Sequence, residues 1–509
     1  MVRSMIDTTT TRAGFAGAVS AGLALGLTEL VAGITELVPS AIASVGGVVI
    51  DISPRFVKEL AISIFGTADK GALAIGTAVV GVLIGWFVGR ATLRRPWVAW
   101  AAFGAFALLG ILAAADGVGG NLPLTILAIS GAALIGALAL RSMLRESPTD
   151  GLAANDSRRR FLTQAAGAGV AAAIAGLGGR QLIIARSEEV RQSVTLPAAD
   201  LSVPMPPPES QFAAIADLTP IVVSNDEFYR IDTALVVPRP DPETWRLRIT
   251  GMVDNELSFS LDDLTNMVLY EEYVTIACVS NEVGGDLIGN AKWTGVKLTD
   301  LLDAAGVQDT AEQIYSRSVD GWTSGFPVEL AYDGREPLVA IGMNGEPLPP
   351  SHGFPARLIV PGLYGYVSAT KWVEEIELTT WDDVDGYWIP RGWAKEAPIK
   401  TQSRIDHPRR DQKLAENPLV LAGVAWAPTR GIATVEVQLD DGPWLECELT
   451  SPLSDRAWVQ WKTEIEAPPG SHIARVRATD GTGETQTEVE QRPAPDGATG
   501  YHEISFELA

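Results

Sequence analysis

The sequence predicts a chain in three parts: five membrane-crossing helices, then an α+β domain, then a C-terminal β-sandwich. Three observations predict this. Charge-free apolar runs of membrane-spanning length fill the first third of the 509 residues. In the middle, short strands and short helices mix without the regular alternation that a parallel βαβ sheet requires. After residue 398, short alternating strands recur at even spacing with turn pairs between them.

The membrane part is expected over residues 1–180. Gly71 to Gly89, Pro96 to Ala115, Leu122 to Leu140 and Phe161 to Gly179 carry no charge, and Ala13 to Thr35 carries only Glu29. Positive residues set the orientation. Arg3 and Arg12 precede the first run, Arg90, Arg94 and Arg95 follow the second, and Arg141, Arg145 and Arg158 to Arg160 lie between the fourth and fifth. The turn from Asp116 to Asn121 has none, and the three in the loop from Leu37 to Lys70 are balanced by Asp51, Glu59 and Asp69. The N-terminus is therefore expected in the cytoplasm, and everything after the fifth helix on the extracytoplasmic side of a multi-pass membrane protein. Glu29 and Glu36 are seven residues apart on one helical face. Glu36 reads as solvated or paired near the outer end. For Glu29 two readings stand: proton or quinone handling, or the same solvated or paired state. No histidine precedes His352, so these helices lack imidazole ligands for a b-type haem, and no haem is expected.

Charge divides the chain. Residues 1–180 carry 14 Lys+Arg against 10 Asp+Glu, whereas residues 181–509 carry 25 against 52. The second part is thus an acidic body with no basic patch for nucleic acid. Ser157-Arg-Arg-Arg-Phe-Leu162 precedes a weakly hydrophobic Ala/Gly-rich run and resembles a twin-arginine export signal, set unusually inside a chain. No small-residue cleavage site follows Gly179, so the segment is expected to stay as an anchor.

Residues 181–220 become Pro-rich and polar, with Met205-Pro-Pro-Pro208, and read as an extended tether. Globular patterning begins near Ile221 and is expected to form one domain over residues 221–397. Trp245-Arg-Leu-Arg-Ile-Thr alternates as a strand, and Ser260-Leu-Asp-Asp263 opens a short helix with a capping box. Over residues 398–509, Gly431 to Leu439 and Trp444 to Leu449 form a hairpin pattern across Asp440-Asp-Gly-Pro443, and Ser471 to Thr479 alternates as a further strand. Cys447 falls in one of these strands and reads as structural; two cysteines so far apart do not make a disulfide framework.

The chemistry gathers at Tyr273-Val-Thr-Ile-Ala-Cys278-Val-Ser-Asn281, an apolar strand that ends on a cysteine and passes into a polar turn. Taken alone, Cys278 has two readings: a small buried hydrophobe or a soft thiolate ligand. Downstream follow Asn290-Ala-Lys-Trp-Thr-Gly-Val-Lys-Leu-Thr-Asp-Leu-Leu302, His352-Gly-Phe-Pro-Ala-Arg357-Leu-Ile-Val-Pro-Gly362 and Ser368-Ala-Thr-Lys371-Trp372. Upstream stands Asn225-Asp-Glu-Phe-Tyr229-Arg230-Ile-Asp-Thr. This ordered series resembles the molybdopterin domain of the sulfite oxidase family, and the segment from Pro398-Ile-Lys-Thr-Gln-Ser-Arg404 onward resembles that family's C-terminal immunoglobulin-like dimerisation domain.

The resemblance covers residue 221 to the C-terminus and implies a molybdenum-molybdopterin cofactor. Cys278 would be its metal ligand. Asn225, Tyr229, Asn281, Ser318, His352, Arg357, Thr370 and Lys371 would bind the pterin, and Arg230 would attract an oxyanion substrate. It also implies a small-molecule substrate, a separate electron-transfer partner or a quinone, and a homodimer through the C-terminal domain. One departure bears on substrate. Where sulfite oxidases carry paired arginines after the asparagine, this chain has Glu282-Val-Gly-Gly285. A less charged oxo-donor or oxo-acceptor is therefore expected to be preferred over the sulfite dianion, unless Glu282 points away and pairs with Lys292. Tyr387-Trp-Ile-Pro-Arg391-Gly-Trp393 stands loosely where the family places a tyrosine near the metal. Two function classes remain: an outward-facing molybdenum oxidoreductase, or a non-catalytic scaffold that keeps the fold without metal.

Overall fold

The structure is a computed structural model that describes residues 2–35, 37–53, 69–115, 121–145, 151–215, 217–415 and 417–509. Glu36, most of the Asp116 to Asn121 turn and much of the Leu37 to Lys70 loop lie outside the described residues. The chain forms two compact units, residues 1–190 with 233–239, and residues 191–232 with 240–509.

The first unit is helical: α1 (Val2–Ile34), α2 (Ala41–Ile52), α3 (Asp69–Thr92), α4 (Trp97–Ala115), α5 (Leu122–Leu144) and α6 (Gly151–Ser193). Five stretches are long and apolar enough to cross a membrane: Thr9–Ile34, Gly71–Thr92, Trp97–Ala115, Leu122–Leu144 and Arg159–Ser193. They cover the expected runs except for the end residues Thr35 and Pro96. Helix α2 is an addition, too short to cross, begun by the Ser40 side chain accepting from the Ala43 N–H. Glu29 is buried beside it and accepts from Ser40 Oγ at 2.6 Å and from the Ile42 N–H at 3.4 Å. Of the two readings of Glu29, the paired one describes this geometry. Gly17 of α1 faces Gly85 and Gly89 of α3 so closely that a Cβ there would overlap the opposite backbone, the approach that small residues permit between membrane helices.

Helix α6 continues past Gly179 through Arg180 to Ser193, because good helix formers fill that stretch. The segment that follows lies along the second unit. Leu201 pairs with Tyr270 in parallel, and the Tyr273 hydroxyl donates to Pro204 O at 3.1 Å. The Phe212 N–H donates to Gln460 Oε1 at 2.7 Å. The expected tether is thus a strap covering the edge of the strand that leads to Cys278, which satisfies backbone groups an edge would leave open.

The second unit holds strands β1 (Leu247–Gly251), β2 (Leu257–Phe259), β3 (Tyr270–Ala277), β4 (Ile288–Lys297), β5 (Gln313–Ser318), β6 (Thr323–Pro327), β7 (Leu338–Met343), β8 (Glu346–Pro347), β9 (Arg357–Ile359) and β10 (Val373–Thr379). One sheet has the order β2-β1-β10-β5-β6, with β1 and β10 parallel and the other pairs antiparallel. The other runs β3-β4-β7-β8, with β9 also on β7, all antiparallel. This mixture, with its short helices, is the α+β architecture. β3 is buried on both faces from Val274 onward, which explains its continuous apolar run.

The remaining strands are β11 (Gln402–His407), β12 (Lys413–Leu414), β13 (Leu419–Trp426), β14 (Ile432–Leu439), β15 (Trp444–Glu446), β16 (Glu448–Leu449), β17 (Val459–Ile465), β18 (Gly470–Asp480) and β19 (His502–Leu508). They form two sheets, β11-β13-β17-β16 and β12-β19-β18-β14-β15. Side chains from both fill one core, including Leu421, Val437, Trp461, Val476 and Phe506, and Cys447 lies in it. This is a β-sandwich.

Candidate active site

Cys278 follows the last residue of β3 and is buried at 9% exposure; both cysteines are free thiols. Its turn closes on itself. The Cys278 N–H donates to Leu287 O at 2.9 Å, the Asn281 N–H to Cys278 O at 3.0 Å, and Asn281 Oδ1 accepts from the Leu287 N–H at 2.8 Å. Asn281 is thus a buried brace of the cysteine turn. The Ser280 N–H reaches Cys278 Sγ at 3.4 Å. Burial pushes the thiol pKa up, while that N–H and the charge of Lys371 oppose the shift. Such a thiol keeps its proton until a cation displaces it.

Around it stands a basic set. Arg357, on β9, is buried and makes no ion pair among the described residues. Its guanidinium donates to His352 O at 3.2 Å and Ala369 O at 3.3 Å, and lies 5.0 Å from the Trp293 ring centroid. Burial lowers its pKa to about 10, against the opposing charges of Tyr229 and Asp232. Lys371 Nζ donates to Asp232 Oδ2 at 2.8 Å and to Ser351 O at 3.1 Å. Its pKa falls to about 8, chiefly through burial. Arg230 Nε binds the same Asp232 Oδ2 at 2.9 Å. One carboxylate is thus shared by two cations and also acts at longer range on Arg357, which has no direct ion pair among the described residues.

His352 Nε2 lies 3.0 Å from Asn225 O, a carbonyl that only accepts, so Nε2 carries the proton. Nδ1 is then a bare acceptor, and it is buried without a partner among the described residues. Burial first, then the charges of Lys371 and Arg357, lower this imidazole to about 3, so it is neutral at physiological pH. Tyr229 stacks on Phe228 at 5.3 Å, and burial and the nearby Cys278 push its phenol up, so it stays an O–H donor.

Other expected residues serve the site indirectly. Asn225 is held by Asn344, whose Nδ2 donates to its Oδ1 at 2.9 Å, and its own Nδ2 donates to Met343 O at 3.3 Å. The Thr370 hydroxyl lies 2.7 Å from Ser316 Oγ and 2.8 Å from Ser324 Oγ, which anchors the loop bearing Lys371 to β5 and β6. Ser318 is buried, and its Oγ accepts from the Asp320 N–H at 3.5 Å in its own turn. Glu282 is exposed, and Lys292 pairs with Glu271 at 2.5 Å rather than with Glu282.

Sequence reasoning missed four contributors. Asp232 balances the cations, Trp293 faces Arg357, and Phe228 packs edge-on to both Trp293 and His352. Trp372 has φ +50, a left-handed conformation rare for so bulky a residue. It is locked there by burial and by its indole N–H donating to Pro350 O at 2.8 Å. This local conformation sets where Lys371 leaves the backbone. Asp232, Phe228, Trp293 and Trp372 all lay inside the quoted motifs, and for Asp232 and Trp372 the signal was closeness in sequence to Arg230 and Lys371. A pterin carrying phosphate needs cations and donors, a hydrogen bond to a bare acceptor and a thiol for its metal. Arg357, Lys371, Cys278 and His352 Nδ1, which has no hydrogen-bond partner among the described residues, fit that group.

Comparison with known proteins agrees with the geometry. Residues 234–388 match the family model described as "Oxidoreductase molybdopterin binding domain". Mitochondrial sulfite oxidase of Homo sapiens is 31% identical over 312 residues, 52% of this chain and 56% of that protein. The chain therefore spans about half the length of the curated sulfite oxidases it matches. The oxidoreductase YuiH of Bacillus subtilis is 34% identical over 153 residues, 30% of this chain and 74% of that protein. The fold is similar to the sulfane dehydrogenase SoxCD of Paracoccus pantotrophus, with TM-score 0.50 and 23% identity over 57% of this chain and 84% of that one. A cysteine at a buried strand end, a basic shell suited to an anionic pterin and these matches lead to one assignment: the chain belongs to the molybdopterin-dependent oxidoreductases of the sulfite oxidase family.

Proposed function

We infer that the protein is a membrane-anchored, outward-facing oxidoreductase that moves an oxygen atom to or from a small molecule and exchanges electrons with a separate redox protein or a quinone. The observation that carries this is the buried Cys278 thiol beside a cation-rich shell in which one carboxylate serves two cations. Cys278 would hold the molybdenum; Arg357, Lys371, Tyr229 and His352 would hold the pterin, with Asn225, Asn281, Ser318 and Thr370 securing their backbone. When bound, that cofactor supplies the two-electron oxygen chemistry. The chain's own residues bind and orient it. Lys371 and Arg357 offset its negative charge, His352 Nδ1 accepts a hydrogen bond, and Cys278 Sγ releases its proton as the metal arrives.

Charge supports a weakly charged substrate. Arg230, the residue expected to attract an oxyanion, already shares Asp232 with Lys371. Where the family carries arginines this chain has Glu282, exposed and unassisted by Lys292. A sulfite dianion would have to surrender its hydration for too little positive charge. The five long apolar helices support anchoring, the loop arginines support the orientation, and the internal arginine motif supports export of a cofactor-loaded domain through the twin-arginine route. The immunoglobulin-like assignment of the sandwich, and dimerisation through it, rest on family likeness and on its two-sheet build.

The test is metal and pterin analysis of the purified full chain, followed by steady-state assays comparing sulfite with neutral S-oxides and N-oxides. Molybdenum near one per chain and preferred turnover of a neutral compound are expected. A metal-free protein from cells that make the cofactor would point to the scaffold instead. Sulfite turnover with a micromolar KM would overturn the substrate reading.

A further inference from the structure

The sandwich touches the cysteine turn itself. Arg404, on β11, is buried at 8% exposure. Its guanidinium donates to Gly285 O at 2.7 Å, to Thr219 Oγ1 at 2.7 Å and to Asp406 Oδ1 at 2.6 Å. Asp406 Oδ2 in turn accepts from the Thr219 N–H at 3.2 Å, so the arginine is fixed on both sides before it reaches the turn. His502, at the start of β19, accepts the Ile405 N–H on Nδ1 at 3.0 Å, which leaves the proton on Nε2. The Nε2 edge of that ring lies against Gly284, so closely that a Cβ at 284 would overlap it, and Gly284 has φ +76. Gly284 and Gly285 are the tip of the turn whose base is the Cys278–Leu287 pairing.

The sandwich also holds the strand that enters the turn. The Thr275 N–H donates to Arg456 O at 3.0 Å, and Thr275 Oγ1 accepts from the Trp458 N–H at 2.8 Å. Ser454 Oγ donates to Tyr273 O at 3.0 Å. Cys278 is therefore gripped from both sides by residues more than a hundred positions away in the chain.

We propose that Arg404 and His502 are positioning residues through which the C-terminal sandwich holds the Cys278 turn in the conformation that receives the metal. This rests on the reading of Cys278 as ligand, but the clamp is measurable without metal. A planar guanidinium held at Nε by Asp406 and at Nη2 by Thr219 aims its Nη1 donor at Gly285 O in a fixed direction, which an ammonium cannot do. Loss of the clamp frees the turn to open locally, and a buried thiol is then exposed in proportion to the open population.

The experiment uses the full chain from cells unable to make molybdopterin, in a Cys447→Ala background so that Cys278 is the single thiol. The rate of its alkylation by iodoacetamide is measured. Arg404→Ala and His502→Ala should each speed alkylation by about tenfold or more, with Arg404→Lys between them and the parent. Asp480→Asn is the control: it removes a buried carboxylate of the sandwich that pairs with Arg430 at 2.7 Å and touches nothing in the turn. It should lower Tm yet leave the alkylation rate within about twofold. Parent-like rates in both alanine variants, or equal acceleration by Asp480→Asn, would overturn the clamp. Neither result depends on whether molybdenum binds.

Discussion

Cys278 sits in a setting that opposes its own ionisation, since burial raises the thiol against the backbone and side chain of Ser280 and the charge of Lys371, which favour the thiolate. In the proposed role of Cys278 as ligand, metal capture and proton release would be one event. Cys278→Ala should abolish turnover, with molybdenum lost but pterin still bound through Arg357 and Lys371; pterin fluorescence and metal analysis on the same sample check both halves. Full activity in that variant would sink the assignment. Histidine protonation adds a pH dependence at this scale. His502 is lowered from 6.5 to about 4, by burial first and then by Arg404 and Arg410. The unfolded chain thus takes up a proton before the folded one does. Its contribution to stability is full above about 6.5 and is lost as pH falls toward about 4. His472 behaves oppositely, raised by its hydrogen bonds to Asp440 and Pro468 O, so its smaller contribution fades as pH rises. Tm measured from pH 7 to 5 should therefore drop, with His352 (lowered to about 3) acting in the same direction, and His502→Asn should lessen that drop without abolishing it. An identical slope in the variant would show that another group carries it.

Strand β3 is held by four separate parts of the second unit: β4, the strap at Leu201, the Ser454–Trp458 loop and its own terminal turn. Each satisfies backbone or hydroxyl groups that burial would otherwise strand at about 1–3 kcal/mol apiece. The strap was read from composition as a free tether, because proline-rich polar sequence looks alike whether it floats or lies along an edge strand. Its hydrogen bonds make it part of the domain. A soluble fragment beginning at Val194 should therefore melt several degrees above one beginning at Ile221, by roughly 2–3 kcal/mol of lost pairing. Equal melting temperatures would mean that the strap contributes nothing outside the full chain. The short helix Leu261–Thr265 shows the contrary case. Its capping box, Ser260 with Asp263, was legible because it needs only neighbours three residues apart.

At the scale of the whole molecule, five long apolar helices precede an acidic second unit, and the proposed anchoring would require insertion and export to follow a fixed order. If the arginine motif directs export of a folded domain, replacing Arg158 and Arg159 together by Lys should leave the second unit in the cytoplasm while the first four long helices still insert. Protease accessibility in spheroplasts reads this directly. Continued export in a strain lacking the twin-arginine pathway would reduce the motif to ordinary loop charge. In these proposals the sandwich would have two duties in this chain, a surface for a second copy and a clamp on the cysteine turn. A dimer that dissociates without change in Cys278 reactivity would separate them.

By itself the sequence determined what depends on length and on local order. An apolar helical run of 19 residues is long enough to span the hydrocarbon core whatever surrounds it, since an α-helix rises about 1.5 Å per residue. The ordered series around Cys278, His352, Arg357 and Lys371 likewise named the family before any coordinates. Tertiary structure decided which charges are free and which are spent. Arg230 and Lys371 lie 141 residues apart yet divide one aspartate, and no periodicity reports such a meeting. Trp372 adopts a left-handed backbone because Pro350 and a buried pocket hold it, and Arg404 and His502 reach the cysteine turn from another domain. These contacts arise where distant segments pack, and their energies depend on burial that only the folded chain creates.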